Sequence, residues 1–178
     1  METSKDLDNL VSDIGQLLAV FELEDLDSNT PVPAASMHYS RTPATAVDIE
    51  LIEREFKVTL PEDYKAFLMI RNGWKNFSGD YDLLSTHEMV SLQVREKTAE
   101  FRDIWQEEAG IKDAFFIYLG DGRVFGFFDY GNAADNKEPE LHFYDIGLSM
   151  RYKSFSEYLV AEKASLERSL TELGWRSA

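Results

Sequence analysis

Three histidines, His38, His87 and His142, and 33 carboxylates are the side chains best suited to chemistry in this 178-residue chain, which has no cysteine. The histidines share no short ligand spacing, so a zinc site would have to be assembled by the fold alone, and they read as ordinary surface or half-buried residues. Without cysteine there is no disulfide, thiolate-bound metal or thiol nucleophile, a composition that a reducing compartment permits. No nucleophile-elbow sequence points to a Ser-His-Asp triad. Carboxylates are so numerous that any fold brings two together, and their number implies no acid–base pair. Gly120-Asp121-Gly122 lacks the Gly-Lys-Ser/Thr of a phosphate loop and reads as a hairpin turn. The stretch from Asp129 to Asn136 is rich in oxygen ligands, yet it lacks the alternating acids and closing Glu of an EF-hand, so it reads as a solvated connection. No catalytic residue, metal or cofactor is expected.

What remains is the charge. With 18 basic residues against the 33 acids, the formal net charge is -15, which disfavours binding to nucleic-acid phosphates or to an anionic membrane surface. The excess is spread along the chain, at -6 in residues 1–44 and -9 in 45–178. A solvated surface that serves solubility is one reading. Steering toward a basic protein is the other. It is supported by acids interleaved with aromatics at expected loop tips: Trp74, Asp80, Tyr81 and Asp82 in one stretch, and Asp129, Tyr130, Asp135, Glu138 and Glu140 in another.

The elements that must carry these residues follow from periodicity. Leu7, Leu10, Val11, Ile14, Leu17, Leu18 and Phe21 recur every three or four residues, which predicts an amphipathic helix over 5–22 that Ser4 is placed to cap. Three prolines between Thr30 and Pro43 then predict an extended connector. The helix either packs on the remaining core as a lid or mediates self-association. Thr45 and Asp48 open a second helix with Val47, Ile49, Ile52 and Phe56 along one side. Pro61 at a first helical position starts a third, with Tyr64, Phe67, Leu68 and Ile70 facing inward and Asn72-Gly73 as its stop.

Strands are expected at 81–84, 115–119, 124–128 and 141–144, with Ser85 and Glu88 opening one helical region that ends near Gly110. Ser154 and Glu157 form a capping-box pair before a last helix that carries Phe155, Leu159, Leu166, Leu170 and Leu173. This order indicates an α+β fold with a mostly antiparallel sheet. The predicted organisation is an N-terminal helix and Pro-containing linker over 1–44 and one domain over 45–178. A start without a basic-then-apolar leader, and no stretch near the ~20 apolar residues of a membrane span, suggest a soluble cytoplasmic protein.

The spacing Ile49-x-x-Ile52-Glu53-x-x-Phe56-x-x-x-Leu60-Pro61-x-Asp63-Tyr64-Lys65-x-Phe67-Leu68-x-x-x-Asn72-Gly73 resembles the opening signature of the SUKH superfamily. That superfamily is shared by the yeast Smi/Knr cell-wall-synthesis regulators and many bacterial immunity proteins. Asp82-Leu83-Leu84-Ser85, the hairpin at Asp121-Gly122, Phe128-Asp129 and Lys153-Ser154-Phe155-x-x-Tyr158-Leu159 follow in the family's order. The resemblance implies an interaction domain with no known catalytic residues. In bacteria such proteins are commonly encoded beside toxins, many of them nucleases or deaminases, and neutralise them in the cytoplasm. The first expectation is therefore an immunity protein that noncovalently occludes the active site or substrate groove of a cognate toxin with a basic surface. Its expected contacts are Asp80, Tyr81, Asp121, Asp129, Tyr130, Asp135, Glu138 and Glu140. The alternative is a regulatory scaffold of the cell-wall-regulator type that binds endogenous proteins.

Overall fold

The computed structural model describes residues 4–25, 41–78, 81–105, 107, 111–120, 124–131, 138–145 and 148–174. The connector expected between Thr30 and Pro43 lies mostly outside them, as do His38, Gly110, Asp80, Asp121 and Asp135.

Side-chain caps fix where the helices start. In α2 (Ala46–Phe56) the Thr45 hydroxyl accepts from the Asp48 N–H while the Asp48 carboxylate accepts from the Thr45 N–H, a reciprocal box. The same box at Ser85 and Glu88 opens α4 (Thr86–Met89). The single helical region expected there is two helices, because Ser91 caps α5 (Leu92–Ile104) separately and accepts from the Val94 N–H. Pro61 stands one residue ahead of α3 (Glu62–Ile70), where its carbonyl takes the first helical hydrogen bond from Lys65. At α6 (Phe155–Glu172) the box is only half made. Ser154 accepts from the Glu157 N–H, but the Glu157 carboxylate accepts from the N–H of Lys153 rather than of Ser154. Of the expected apolar faces, Val47 is exposed and Leu173 lies beyond the helix end.

Six strands form one antiparallel sheet in sequence order: β1 (Trp74–Ser78), β2 (Tyr81–Leu83), β3 (Ala114–Leu119), β4 (Val124–Asp129), β5 (Glu140–Asp145) and β6 (Leu148–Tyr152). The two edge strands, β1 and β6, are not among the four expected. Side chains alternate across a strand, so β4 sends Phe125 and Phe127 to one face and Phe128 to the other. On the first face Phe101 of α5 sits 5.1 Å from Phe125, ring to ring. On the second, Tyr64 of α3 meets Phe128 at 5.2 Å and Tyr158 of α6 stacks on Phe143 at 4.2 Å. Both faces are thus covered by helices, which makes β3 and β4 buried along their whole length. Gly126 is opposite Phe143, and a Cβ there would lie 2.6 Å from that ring; the missing side chain leaves the space Phe143 fills.

The N-terminal helix α1 (Ser4–Asp25) packs on α6 and α3. Leu7, Val11, Ile14, Leu17 and Leu18 are buried in the same cluster as the sheet, and Asp13 receives a 2.7 Å hydrogen bond from Lys163 of α6. Of the two roles expected for this helix, packing is the one observed. Trp74, expected at a loop tip, is fully buried in β1, with the Arg71 guanidinium 3.7 Å from its ring.

Candidate protein-interaction site

An up-and-down sheet places its connections alternately at two ends. β1 ends where β2 begins, β3 where β4 begins and β5 where β6 begins at one end of the sheet, and β2 and β4 end, and β3 and β5 begin, at the other. The length of β4 separates the ends by about 17 Å at the usual rise per residue. The expected contact residues are therefore divided. Tyr81 belongs to the first end, whereas Asp129, Tyr130, Glu138 and Glu140 belong to the second, and Asp80, Asp121 and Asp135 lie outside the described residues. The described members do not form one continuous patch. Tyr81 opens β2, next to the β1–β2 turn.

At the second end, neighbouring strands bring acids together. Asp129 pairs in register with Glu140 on β5 and with Ala114 on β3. Asp129 is only 2% exposed, which removes it from the surface contacts expected of it. Its Oδ2 and the Oε2 of Glu140 each lie 3.8 Å from Nε2 of His142, which is equally buried. Tyr130 is also held from within. Its hydroxyl donates to the Thr59 carbonyl at 2.7 Å, and burial, reinforced by the Glu53 and Glu138 carboxylates, pushes its phenol well above the ordinary value. Tyr130 is thus a half-buried strut under the surface. Among the described residues of the expected set, Glu138 and Glu140 stand exposed at this end. A Cβ at Gly131 would come within 2.9 Å of the Asp113 carboxylate, which places this acid beside the same turn.

Two further residues contribute that were not among the expected contacts. Glu53, part of the family signature, accepts the Leu60 N–H at 2.8 Å and forms an ion pair with Lys65 at 2.9 Å, so it braces the α2–α3 junction under Tyr130. Asp113 ends the short 3-10 turn Ile111–Asp113. A carboxylate on a polar helix face or in a turn carries no local signal of such a role.

The hydroxyl of Tyr130, the residue after Asp129, is engaged by the Thr59 carbonyl. Among the described residues no group of three His, Asp or Glu side chains could hold a metal ion. His142 Nδ1 has no hydrogen-bond partner among them. Burial pushes His142 below its ordinary pKa against the pull of Asp129, and Arg151, opposite it on β6, acts in the same direction as burial.

The sign of the resulting pH dependence is fixed. As pH falls through the unfolded value near 6.5, the unfolded chain takes up a proton before the folded one, so stability drops until the lower folded pKa is passed. Between pH 7.5 and 5.5 the urea midpoint of the wild type is expected to fall more than that of His142→Gln. Equal falls in both proteins would count against a neutral, buried histidine.

Arg41 and Glu88 fasten the segment before α2 to α4. The guanidinium donates to both carboxylate oxygens, one of them at 2.8 Å. Burial opposes ionisation of Glu88, but Arg41 and the Ser85 hydrogen bonds outweigh it and hold the carboxyl below its usual range.

Among the described residues no helix is long and apolar enough to cross a membrane. The chain is similar to an uncharacterized protein of Bacillus subtilis (strain 168), YobM, at 28% identity over 82 residues. That stretch is 44% of this chain and 44% of the relative, so the likeness covers less than half of either. A family model, SMI1 / KNR4 family (SUKH-1), matches residues 43–161, from just before the Thr45 cap to the first turns of α6. With two thirds of its length matched, and with the helix pair and meander sheet just described, the chain belongs to the SMI1 / KNR4 (SUKH-1) family.

Proposed function

We propose that the protein is an immunity protein that binds a cognate toxin noncovalently in the cytoplasm of the producing cell. It occludes the active site or substrate groove of that toxin and acts as a binder rather than an enzyme. The observation that carries this reading is the second end of the sheet, where exposed Glu138 and Glu140 stand beside buried Asp129 and half-buried Tyr130, whose hydroxyl is tied to the Thr59 carbonyl. A preorganised acidic surface loses little conformational entropy on binding and meets a basic groove, such as that of a nuclease or deaminase, with complementary potential. The net charge of -15 adds long-range attraction during the approach.

Co-expression with the product of the adjacent reading frame is expected to relieve growth arrest by that product. In stopped-flow mixing of the purified pair, the association rate should fall about tenfold or more as salt rises from low to physiological strength. Glu138→Lys with Glu140→Lys is expected to slow association further at low salt, without unfolding a surface where both side chains are exposed. An association rate indifferent to salt and to this double substitution would remove the second end of the sheet from the interface.

A further inference from the structure

Strand β6 is an edge of the sheet, and among the described residues no strand pairs with its outer side. Leu148 is 66% and Met150 40% exposed, and all five residues pair with β5 in unbroken register, with no proline or bulge and with Arg151 as the one charge on the strand. The opposite edge is guarded: β1 carries the exposed Lys75, and its pairing with β2 is irregular. Natural sheets seldom leave a straight, partly apolar edge open unless another strand adds to it.

We infer that β6 pairs with β6 of a second copy of this chain, antiparallel about a two-fold axis through Met150. The sequence Leu148-Ser149-Met150-Arg151-Tyr152 is self-complementary in this register. Leu148 meets the partner's Tyr152, Ser149 meets the partner's Arg151, and Met150 meets the partner's Met150. The apolar trio shares one face of the strand, where the Tyr152 hydroxyl already reaches the Met150 sulfur at 3.6 Å. Sliding by one two-residue step in either direction leaves only three residues paired, and in one direction it also sets Arg151 against the partner's Arg151. The self-register is thus the one that uses the full strand without a like-charge pair.

The occupant is a second copy because both halves of the match lie on this one strand. Five paired residues bury much less than the ~1,200–2,000 Å² of a stable interface, and two molecules at -15 repel each other. The dimer is therefore weak, and it strengthens as salt screens the repulsion.

The absence of cysteine allows a direct test, since Met150→Cys would be the sole thiol. Residues facing each other across antiparallel strands have Cα atoms about 4.5–5.5 Å apart, inside the disulfide range, whereas the two copies of Leu148 would be about 14 Å apart. With diamide as oxidant, Met150→Cys is expected to form covalent dimer at least about tenfold faster than Leu148→Cys or Tyr152→Cys alone, and a mixture of those two should cross-link to each other. Weight-average mass from sedimentation should rise with concentration, more so at higher salt, and Met150→Lys should return it to the monomer value. Equal cross-linking at all three positions, or a monomer mass at every concentration and salt, would overturn the pairing. So would a wild type that is monomeric and loses only its toxin binding through Met150→Lys, which would give this edge to the toxin.

Discussion

Replacing Gly73 with alanine is expected to cost about 3 kcal/mol or more of stability, from a left-handed backbone penalty and from overpacking together. Gly73 has φ +76°, and a Cβ there would lie 2.6 Å from the Ser85 nitrogen and 2.7 Å from the Leu83 oxygen. These are backbone atoms of the strand end and cap that follow β2, so no side-chain rotation relieves the clash. Asn72, beside it, fixes the same junction: its side chain donates to the Thr86 hydroxyl and accepts the Thr86 N–H. The substitution would thus loosen α3, β1 and α4 together. With an m-value of about 2 kcal/mol/M, the urea midpoint should fall by about 1.5 M. Gly174 supplies the control. Its φ is +90°, but nothing lies within 4 Å of its Cβ position, so Gly174→Ala should cost only the backbone penalty of about 1 kcal/mol. Equal midpoints for the two variants would refute the steric part of the argument.

Removing residues 1–40 is expected to abolish cooperative folding of the remainder. The five buried side chains of α1 each contribute about 1.5–3 kcal/mol by burial, a gross sum of the same order as the whole stability of a domain this size. Deletion also uncovers the surfaces they meet, including Trp74, whose indole lies 3.7 Å from the Cβ position of Gly15. The ordering entropy of the helix is recovered on deletion and reduces the loss without cancelling it. The truncated chain should show weak near-UV dichroism, bind a hydrophobic dye and melt without a sharp transition. Ile14→Ala is the milder form of the same test, at about 2–5 kcal/mol, because Ile14 is fully buried between the helices and the sheet. A truncated protein that melted cooperatively at the wild-type midpoint would make α1 an appendage.

Local chemistry made much of this fold legible in the sequence. The Thr45 and Ser85 caps lie three residues from the acids that complete them, and the β3–β4 hairpin joins two apolar runs. Tertiary context accounts for the rest. Trp74 and Asp129 carry surface-like neighbours in sequence, yet one is buried by α1 from far along the chain and the other by His142 from the adjacent strand. The sequence of β6 alternates for only five residues, too short a run to tell an edge strand from a loop. The expected contact set was chosen by composition at loop tips, and composition holds no record of which end of a meander each loop occupies. Strand order alone separates Tyr81 from Glu138. The helix pair and the family signature could be read residue by residue, whereas the exposed acidic end required the assembled sheet.

The packing of α1 on α6 has a consequence for synthesis. The segment that leaves the ribosome early must wait for one about 130 residues later, roughly ten seconds at typical elongation rates. Until α6 emerges, only the side of its apolar stripe that meets α3 and Trp74 has a surface to pack on, and a chaperone can hold the rest. The folded protein should then accumulate only after α6 has been made and lag behind its messenger.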